Sequence, residues 1–233
     1  MYLNTTRVVV FLFTGVLMSN CWTSNDISPS QCRITSYNAP YGNETFAYSN
    51  GNLSSITDHL GGVTTFTYDQ QGRVSARTYS NSSTTFTYTY TYDSDGRVIS
   101  TNGQFPTSYA YSSSGQLIKQ SNSDGSYWIF QYPDNITKNF SSTIYYDASG
   151  NILLTKTRQY DTKINPFYAV LYQYYSGQVD ELQTPNNVTQ MMNTSSGQTS
   201  GLNYSYTYNP KGYPVALDYG VGNANIEYEN CPF

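Results

Sequence analysis

The chain holds few residues that could perform acid–base or nucleophilic chemistry. Its single histidine, His59, lies in the segment 58–62 (DHLGG). It could act as the base of a Ser-His-Asp site, because serine and aspartate are abundant in the chain. No Gly-x-Ser-x-Gly element marks a nucleophile, and the acidic residues mostly occupy predicted turns. We therefore expect no enzyme activity, and a secreted hydrolase that uses His59 is the alternative.

Metal, cofactor and nucleic-acid chemistry have equally little support. One histidine and three cysteines, two of which are expected to pair, do not make a standard zinc site. Asp93 and Asp95 could hold calcium, but the spacing of an EF-hand loop is missing, and glycine-rich phosphate motifs are absent. The 11 basic residues are scattered among 15 acidic ones, with a net charge of −4. We expect no cofactor, no metal and no nucleic-acid partner, since phosphate binding needs clustered cations.

The first 32 residues indicate export. Residues 8–18 form an uncharged apolar stretch that is too short to span a bilayer, which is typical of a signal peptide and predicts one over residues 1–20. Residues 17–21 (LMSNC) resemble a bacterial lipoprotein signal, which is removed just before a cysteine that becomes lipidated. The resemblance implies lipid attachment at Cys21, with residues 21–32 as anchor and polar tether. Ordinary secretion, with Cys21 in a disulfide, is the alternative.

The cysteine count fits this interpretation. Three cysteines are an odd number for an exported chain, where pairing is expected. If Cys21 carries lipid, Cys32 and Cys231 remain as a pair at opposite ends of the mature domain. A disulfide between them would fasten the first strand to the last, and on the chain-entropy model so long a loop contributes about 4–5 kcal/mol. We expect this disulfide within a single domain over residues 33–233.

The rest of the pattern is that of β-structure. In residues 85–92 (TFTYTYTY), aromatic and hydroxyl side chains alternate, so one face of a strand is aromatic and the other is threonine. Asp93 and Gly96 then predict a tight turn, and Val98 resumes the buried face. The 26 tyrosines supply the apolar area that the scarce aliphatic residues do not. The pattern predicts an all-β fold: an antiparallel meander of repeated β-hairpins that forms a curved sheet or a closed barrel.

The hairpin unit is a repeat. Its form, aromatic-x-Tyr-(Asp/Asn/Ser)-x-x-Gly-x-(Val/Leu/Ile), recurs about every 20 residues in the early copies. The clearest copies are 68–74 (YDQQGRV), 92–98 (YDSDGRV) and 146–152 (YDASGNI). They resemble the YD repeat of RHS-type bacterial proteins, and the chain is similar to small bacterial lipoproteins with degenerate YD-like repeats and a porin-like β fold. The resemblance implies a location and a fold, but no activity.

Two segments depart from the clearest repeats. Residues 165–175 (NPFYAVLYQYY) are predicted to form a strand, and its end overlaps a loose repeat copy at 172–179. Residues 184–201 are polar and turn-rich, which predicts a long mobile loop or an inserted binding segment. Met191 and Met192 in this segment are expected to fill a gap in the packing, and a small docking surface is the alternative.

The sequence therefore favours an exported, lipid-anchored protein of the bacterial cell envelope, at the outer membrane, that acts as a binding or scaffolding module. Its expected partners are the membrane, through the lipid, and a glycan or an envelope protein. A carbohydrate-binding module is an alternative function, because Trp128 lies in the aromatic segment 127–130 (YWIF) and aromatic rings can stack on sugars. The same rings could instead form the core.

Overall fold

The structure, a computed structural model, describes residues 32–40, 42–171, 184–220 and 222–231. Within these ranges the chain is all-β, as predicted, with seventeen strands and one short helix. The strands are β1 (Arg33–Ala39), β2 (Gly42–Ser49), β3 (Asn52–Thr57), β4 (Val63–Tyr68), β5 (Val74–Ser80), β6 (Thr85–Tyr92), β7 (Val98–Asn102), β8 (Thr107–Tyr111), β9 (Leu117–Asn122), β10 (Tyr127–Gln131), β11 (Ser142–Tyr146), β12 (Ile152–Ile164), β13 (Asn186–Ser195), β14 (Gln198–Asn203), β15 (Ser205–Tyr208), β16 (Pro214–Asp218) and β17 (Asn223–Glu229). The helix, α1 (Pro166–Leu171), lies between β12 and β13.

The strands form one antiparallel meander that closes on itself. Each strand from β1 to β13 pairs with the next strand of the chain, β15 to β17 continue the pattern, and β17 pairs with β1. β14 and β15 are two parts of one extended segment, broken only at Tyr204. The first part pairs with β13 and the second with β16. The result is a nearly closed barrel, which resolves the choice between a curved sheet and a barrel.

The aromatic faces point into the barrel. In β6, Tyr88 and Tyr90 are buried while the threonines between them are exposed. The alternation predicted for residues 85–92 is therefore confirmed. The largest buried cluster spans strands from both halves of the chain, and its members are Ile34, Phe46, Leu53, Ile56, Phe66, Val74, Tyr90, Phe167 and Ile226.

Because successive strands are antiparallel, the connections lie alternately at two rims. We call the rim that holds Cys32, Cys231 and the turns 69–73 and 93–97 the closure rim. The opposite rim holds the turns 58–62 and 81–84.

The prediction of a strand from residue 165 is wrong, because residues 166–171 form α1. The Asn165 side chain caps the helix: its Oδ1 accepts the Phe167 N–H (3.1 Å) and its Nδ2 donates to the Thr184 carbonyl (2.8 Å). Pro166 occupies the first helical position, where its missing N–H is not needed. The Phe167 ring then contacts Tyr37 edge-on at 5.3 Å, so α1 fills the interior near the closure rim. In the described ranges, no helix has the length and apolar character needed to cross a membrane.

The predicted loop at residues 184–201 is also wrong. β13 and β14 form a hairpin whose two-residue turn, Ser196-Gly197, has positive φ at both positions (50° and 76°), the geometry preferred between twisted strands. Thr, Ser, Asn and Gln suit a strand that is solvated on both faces, and all six residues of β14 are exposed. Of the two methionines expected to fill the packing, Met191 is buried and Met192 is half-buried. The copy at 172–179, the signal segment 1–20 and Cys21 lie outside the described residues.

Candidate functional site

One side chain organises each YD turn. In the turn 69–73, Asp69 Oδ1 accepts the N–H groups of Gln71 and Arg73, both at 2.9 Å, and the Asp69 N–H donates to the Arg73 carbonyl at 2.8 Å. Gly72 supplies the positive φ of 77° that other residues resist. The same pair of amide bonds is accepted by Asp58, Asp93, Asp147 and Asn209. The turns predicted from the Asp/Asn-x-x-Gly spacing are thus confirmed.

Two of these turns also carry an internal ion pair. Arg73 Nε donates to Asp69 Oδ2 at 2.7 Å, and Arg97 makes the same contact with Asp93. Burial acts to raise the pKa of Asp69, but the hydrogen bonds from the Arg73 backbone and side chain, with its positive charge, hold that pKa below its ordinary value. The Arg73 guanidinium also lies over the ring of Tyr92 in the next repeat, 4.3 Å from its centroid.

A ladder of tyrosine hydroxyl groups connects neighbouring repeats. The Tyr92 hydroxyl donates to the Val74 carbonyl at 2.7 Å, one repeat earlier in the chain. Seven other tyrosine hydroxyl groups donate to backbone carbonyls in the same way. The pairs are Tyr48 to Ile34, Tyr68 to Leu53, Tyr111 to Val98, Tyr132 to Leu117, Tyr160 to Phe140, Tyr206 to Val188 and Tyr228 to Pro214. Tyrosine is therefore preferred over phenylalanine at this position because its ring fills the interior while its hydroxyl satisfies a backbone acceptor.

The two ends of the described chain combine to build one more repeat. Cys32 and Cys231 form the predicted disulfide, with Cα atoms 4.5 Å apart. Tyr228 lies opposite Ile34 in the β17–β1 pair, as Tyr68 lies opposite Val74 in β4–β5. The disulfide occupies the place of the turn that joins the two strands in a continuous repeat. We call this arrangement the closure repeat.

The contacts of the closure repeat match those of the continuous ones. Arg33 pairs with Glu229 at 2.7 Å, where other repeats pair arginine with aspartate at the same distance. The Arg33 guanidinium lies 4.7 Å from the Tyr48 ring centroid, and the Tyr48 hydroxyl donates to the Ile34 carbonyl at 2.9 Å. The interactions that link neighbouring repeats thus continue across the junction between the chain ends.

His59 lies apart from this junction, exposed at the opposite rim. Both oxygens of the neighbouring Asp58 are already used: Oδ1 accepts the N–H groups of Leu60 and Gly62, and Oδ2 accepts the Tyr79 hydroxyl. Burial raises the pKa of Glu44 in β2, and the Asp58 charge raises it further. In the described part of the chain, no serine hydroxyl is hydrogen-bonded to His59, so the geometry adds no support to the hydrolase alternative.

Trp128 belongs to the interior. It lies opposite Tyr145 in β11, with ring centroids 4.7 Å apart, and it packs against the cluster of Leu117, Phe130 and Phe140. One face of its indole is thus covered by Tyr145. This packing agrees with the interpretation that the rings of Trp128 and Phe130 contribute to the core.

A small cavity near the closure rim, between Gln116, Lys138, Phe140 and Tyr168, has a volume of about 10 Å³, which suits one water molecule. Gln116 lines the cavity, and its Nε2 donates to the carbonyls of Asp134 (2.8 Å) and Thr137 (2.7 Å). No group of three or more His, Cys, Asp or Glu side chains within the described ranges could hold a metal ion.

The copy at 146–152 faces the opposite way from the other clear copies, and its orientation was not predicted. Its turn lies at the opposite rim, and Tyr146 stacks on Tyr127, with ring centroids 4.7 Å apart, on the outer face of the sheet. Ile152 is 59% exposed, whereas Val74, at the same motif position, is 0% exposed. Gly150 follows the previous motif glycine by 35 residues, against 19 to 24 between earlier ones, so the sequence shows a break in the repeat but not the rim at which the turn lies.

The closed meander, the YD turns and the tyrosine ladder define an RHS/YD-repeat-like β protein. Residues 48–84 match the RHS repeat family model. The matched segment runs from the end of β2 to the residue before β6. No protein with a curated description matches the chain.

Several solved structures are similar at low identity. A porin-like protein from Bacteroides vulgatus is 10% identical with a TM-score of 0.43, and the match covers 85% of this chain and 99% of that one. A porin-like protein from Bacteroides uniformis is 16% identical with a TM-score of 0.39, covering 81% and 78% of the two chains. The complex of TcdB2, TccC3 and Cdc42 gives 12% identity and a TM-score of 0.34 over 76% of this chain. This chain spans only 12% of the length of that much larger protein.

Proposed function

We propose that the protein is exported to the bacterial cell envelope, is anchored by a lipid on Cys21, and acts there as a rigid binding or scaffolding module. It works through its surface and shape, and no reaction is assigned to it. The observation that carries the proposal is the closure repeat. It joins the ends of the repeat array through a Cys32–Cys231 disulfide, and such bonds persist in oxidising compartments outside the cytosol.

The arrangement also favours one orientation at the membrane. Ten residues, 22–31, separate Cys21 from Cys32, which lies at the closure rim. A lipid on Cys21 would tether the closure rim, with the turns 69–73 and 93–97, to the membrane and leave the opposite rim farther from it. The surface available to a glycan or an envelope protein would then be the outer wall and the opposite rim.

The test is the mass and the location of the protein in a bacterial host. We expect the exported wild-type chain to begin at Cys21, to carry added acyl mass and to sediment with the membranes. The Cys21→Ala variant should move to the soluble fraction. The Cys32→Ser variant is the matched control, because it also removes one thiol but should stay with the membranes. Equal membrane retention of the Cys21→Ala and wild-type proteins would show that the proposed anchor is wrong.

A further inference from the structure

One edge of the β13–β14 hairpin has no partner strand in the described ranges. β14 pairs with β13 from Gln198 to Asn203. On its other side, pairing with β16 begins only at Ser205, opposite Asp218, where β16 ends. β14 therefore extends beyond the end of β16, its neighbour on that side. All six residues of β14 are exposed. Alternate N–H and C=O groups of this strand point to solvent, as in any edge strand.

This edge lacks the features that normally prevent strands from pairing between molecules. Proteins protect exposed edges with lysine, proline, β-bulges or a covering segment. β14 contains no charged residue and no proline, and its register with β13 is regular. The whole hairpin, residues 186–203, has no charged side chain, although the chain has a net charge of −4.

Apolar side chains lie exposed beside the same hairpin. Ile152 and Leu153, at the start of β12, are 59% and 45% exposed, because the copy at 146–152 faces outward. The Ser195 hydroxyl at the tip of β13 donates to the Leu153 carbonyl at 2.8 Å, which places these residues next to the hairpin. Leu202 in β14 is also exposed. Backbone donors and acceptors thus lie next to apolar area, a combination found at protein interfaces.

We propose that β14 pairs antiparallel with β14 of a second copy of this chain, about a two-fold axis near Ser200. The uncharged hairpin lets two copies of net charge −4 meet without opposing like charges at the contact. A two-fold pairing satisfies both free edges with one self-complementary set of bonds. A contact six residues long is much smaller than a standard interface of about 1,600 Å², so the pair is weak in dilute solution and is favoured where copies are concentrated. The proposal does not depend on the lipid at Cys21.

Cysteine cross-linking of the full chain in its host tests the pairing. The Ser200→Cys variant places two thiols near the axis, and mild oxidation should give a band of twice the chain mass that disappears on reduction. The Ser82→Cys variant is the control, since residue 82 is also exposed in a connection at the opposite rim but lies on a different part of it. It should give only a trace of dimer. Similar yields from the two variants, or no dimer with Ser200→Cys, would overturn the proposal.

A second pair of variants tests whether strand pairing, rather than collision, produces the cross-link. Adding Thr199→Lys to Ser200→Cys brings two lysines close to the axis, and the dimer should fall about tenfold or more, since like charges at a contact cost at least 1.4 kcal/mol. Adding Thr89→Lys should leave the yield unchanged, because Thr89 is exposed on a strand with neighbours on both sides. An unchanged yield with Thr199→Lys contradicts the proposal. A cross-linked band of any other mass assigns the edge to a different protein.

Discussion

Single side chains in this protein each satisfy several requirements of the repeat. A YD tyrosine fills the interior, donates its hydroxyl to a neighbouring repeat and, in three cases, supports an arginine over its ring. Burial raises the pKa of the ladder tyrosines Tyr48, Tyr92 and Tyr228. These three phenols therefore remain neutral donors over the whole physiological pH range.

The Asp93–Arg97 pair predicts a pH dependence at the residue scale. Burial acts to raise the pKa of Asp93, but the hydrogen bonds and the charge of Arg97 hold it below its ordinary value. A carboxyl with a lowered folded-state pKa stabilises the fold above its unfolded pKa of about 3.9, and this contribution is lost as the pH falls through the folded value. The Asp93→Asn variant keeps the turn acceptor, as Asn209 does naturally. It should cost about 0.5 kcal/mol at pH 7.

Denaturant unfolding of both proteins between pH 7 and pH 2 measures this effect. We expect the two free energies of unfolding to converge as the pH falls below the ordinary carboxyl value. Adding 1 M salt at pH 7 should reduce their difference as well, because the pair is partly exposed and is screened. A difference that stays constant with both pH and salt would mean that the charge of Asp93 does not matter.

At the scale of strands and hairpins, the structure of a unit follows from its sequence but its orientation does not. Asp69 and Gly72 predict their turn, because the bonds that form it lie within the motif. Pairing then skips Ser75, so that Thr67 lies opposite Ala76 and Tyr68 opposite Val74. The pairing of β6 with β7 has the same bulge directly after Val98, and it turns Ile99 outward. A β-bulge is a property of two strands together, and the alternation within one strand does not show it.

The orientation of the copy at 146–152 and the helix at 166–171 were both missed, and each also depends on parts of the chain outside its own segment. All copies of the hairpin have the same handedness. A copy whose turn lies at the opposite rim therefore points to the outside the side chains that other copies point to the interior. The motif at 146–152 cannot specify its rim, which depends on how many strands precede it. For residues 166–171, the deciding signal was the pair Asn165-Pro166, a helix cap and first helical residue. Aromatic composition favoured a strand there, but packing of Phe167 against Tyr37 and Phe46 requires contacts that are remote in sequence.

The role of α1 gives a prediction at the element scale. Phe167 is buried in the main cluster, so Phe167→Ala should lower the free energy of unfolding by about 3–4 kcal/mol, through lost burial and an unfilled cavity. Phe105→Ala is the matched control, because Phe105 is 63% exposed in the connection between β7 and β8, and it should cost little. Thermal unfolding of the two variants and the wild type measures the loss of stability caused by each substitution. Equal effects would show that α1 is not a structural part of the barrel core.

At the scale of the whole molecule, the repeats behave as a ring. In an open array the terminal repeats lack one neighbour, but here β17 pairs with β1 and the tyrosine ladder continues across the junction. Only one covalent connection, the disulfide, is available where the other repeats have a turn. The closure repeat is therefore the position at which the ring can open without breaking the chain.

This geometry predicts a local effect of removing the disulfide in addition to a loss of stability. Replacing Cys32 and Cys231 by serine removes the constraint on a loop that spans a sequence separation of 199 residues. It should lower the free energy of unfolding by about 2–5 kcal/mol, or the melting temperature by roughly 5–15 °C for a chain of this size. Native-state hydrogen exchange should show the fastest new exchange in β1 and β17, on both sides of the Arg33–Glu229 ion pair. Strands β5 and β6, far from the junction and held by continuous turns, should keep their protection until global unfolding. A uniform loss of protection in all strands would mean that the ring unfolds as one unit, and that the closure repeat is no weaker than the others.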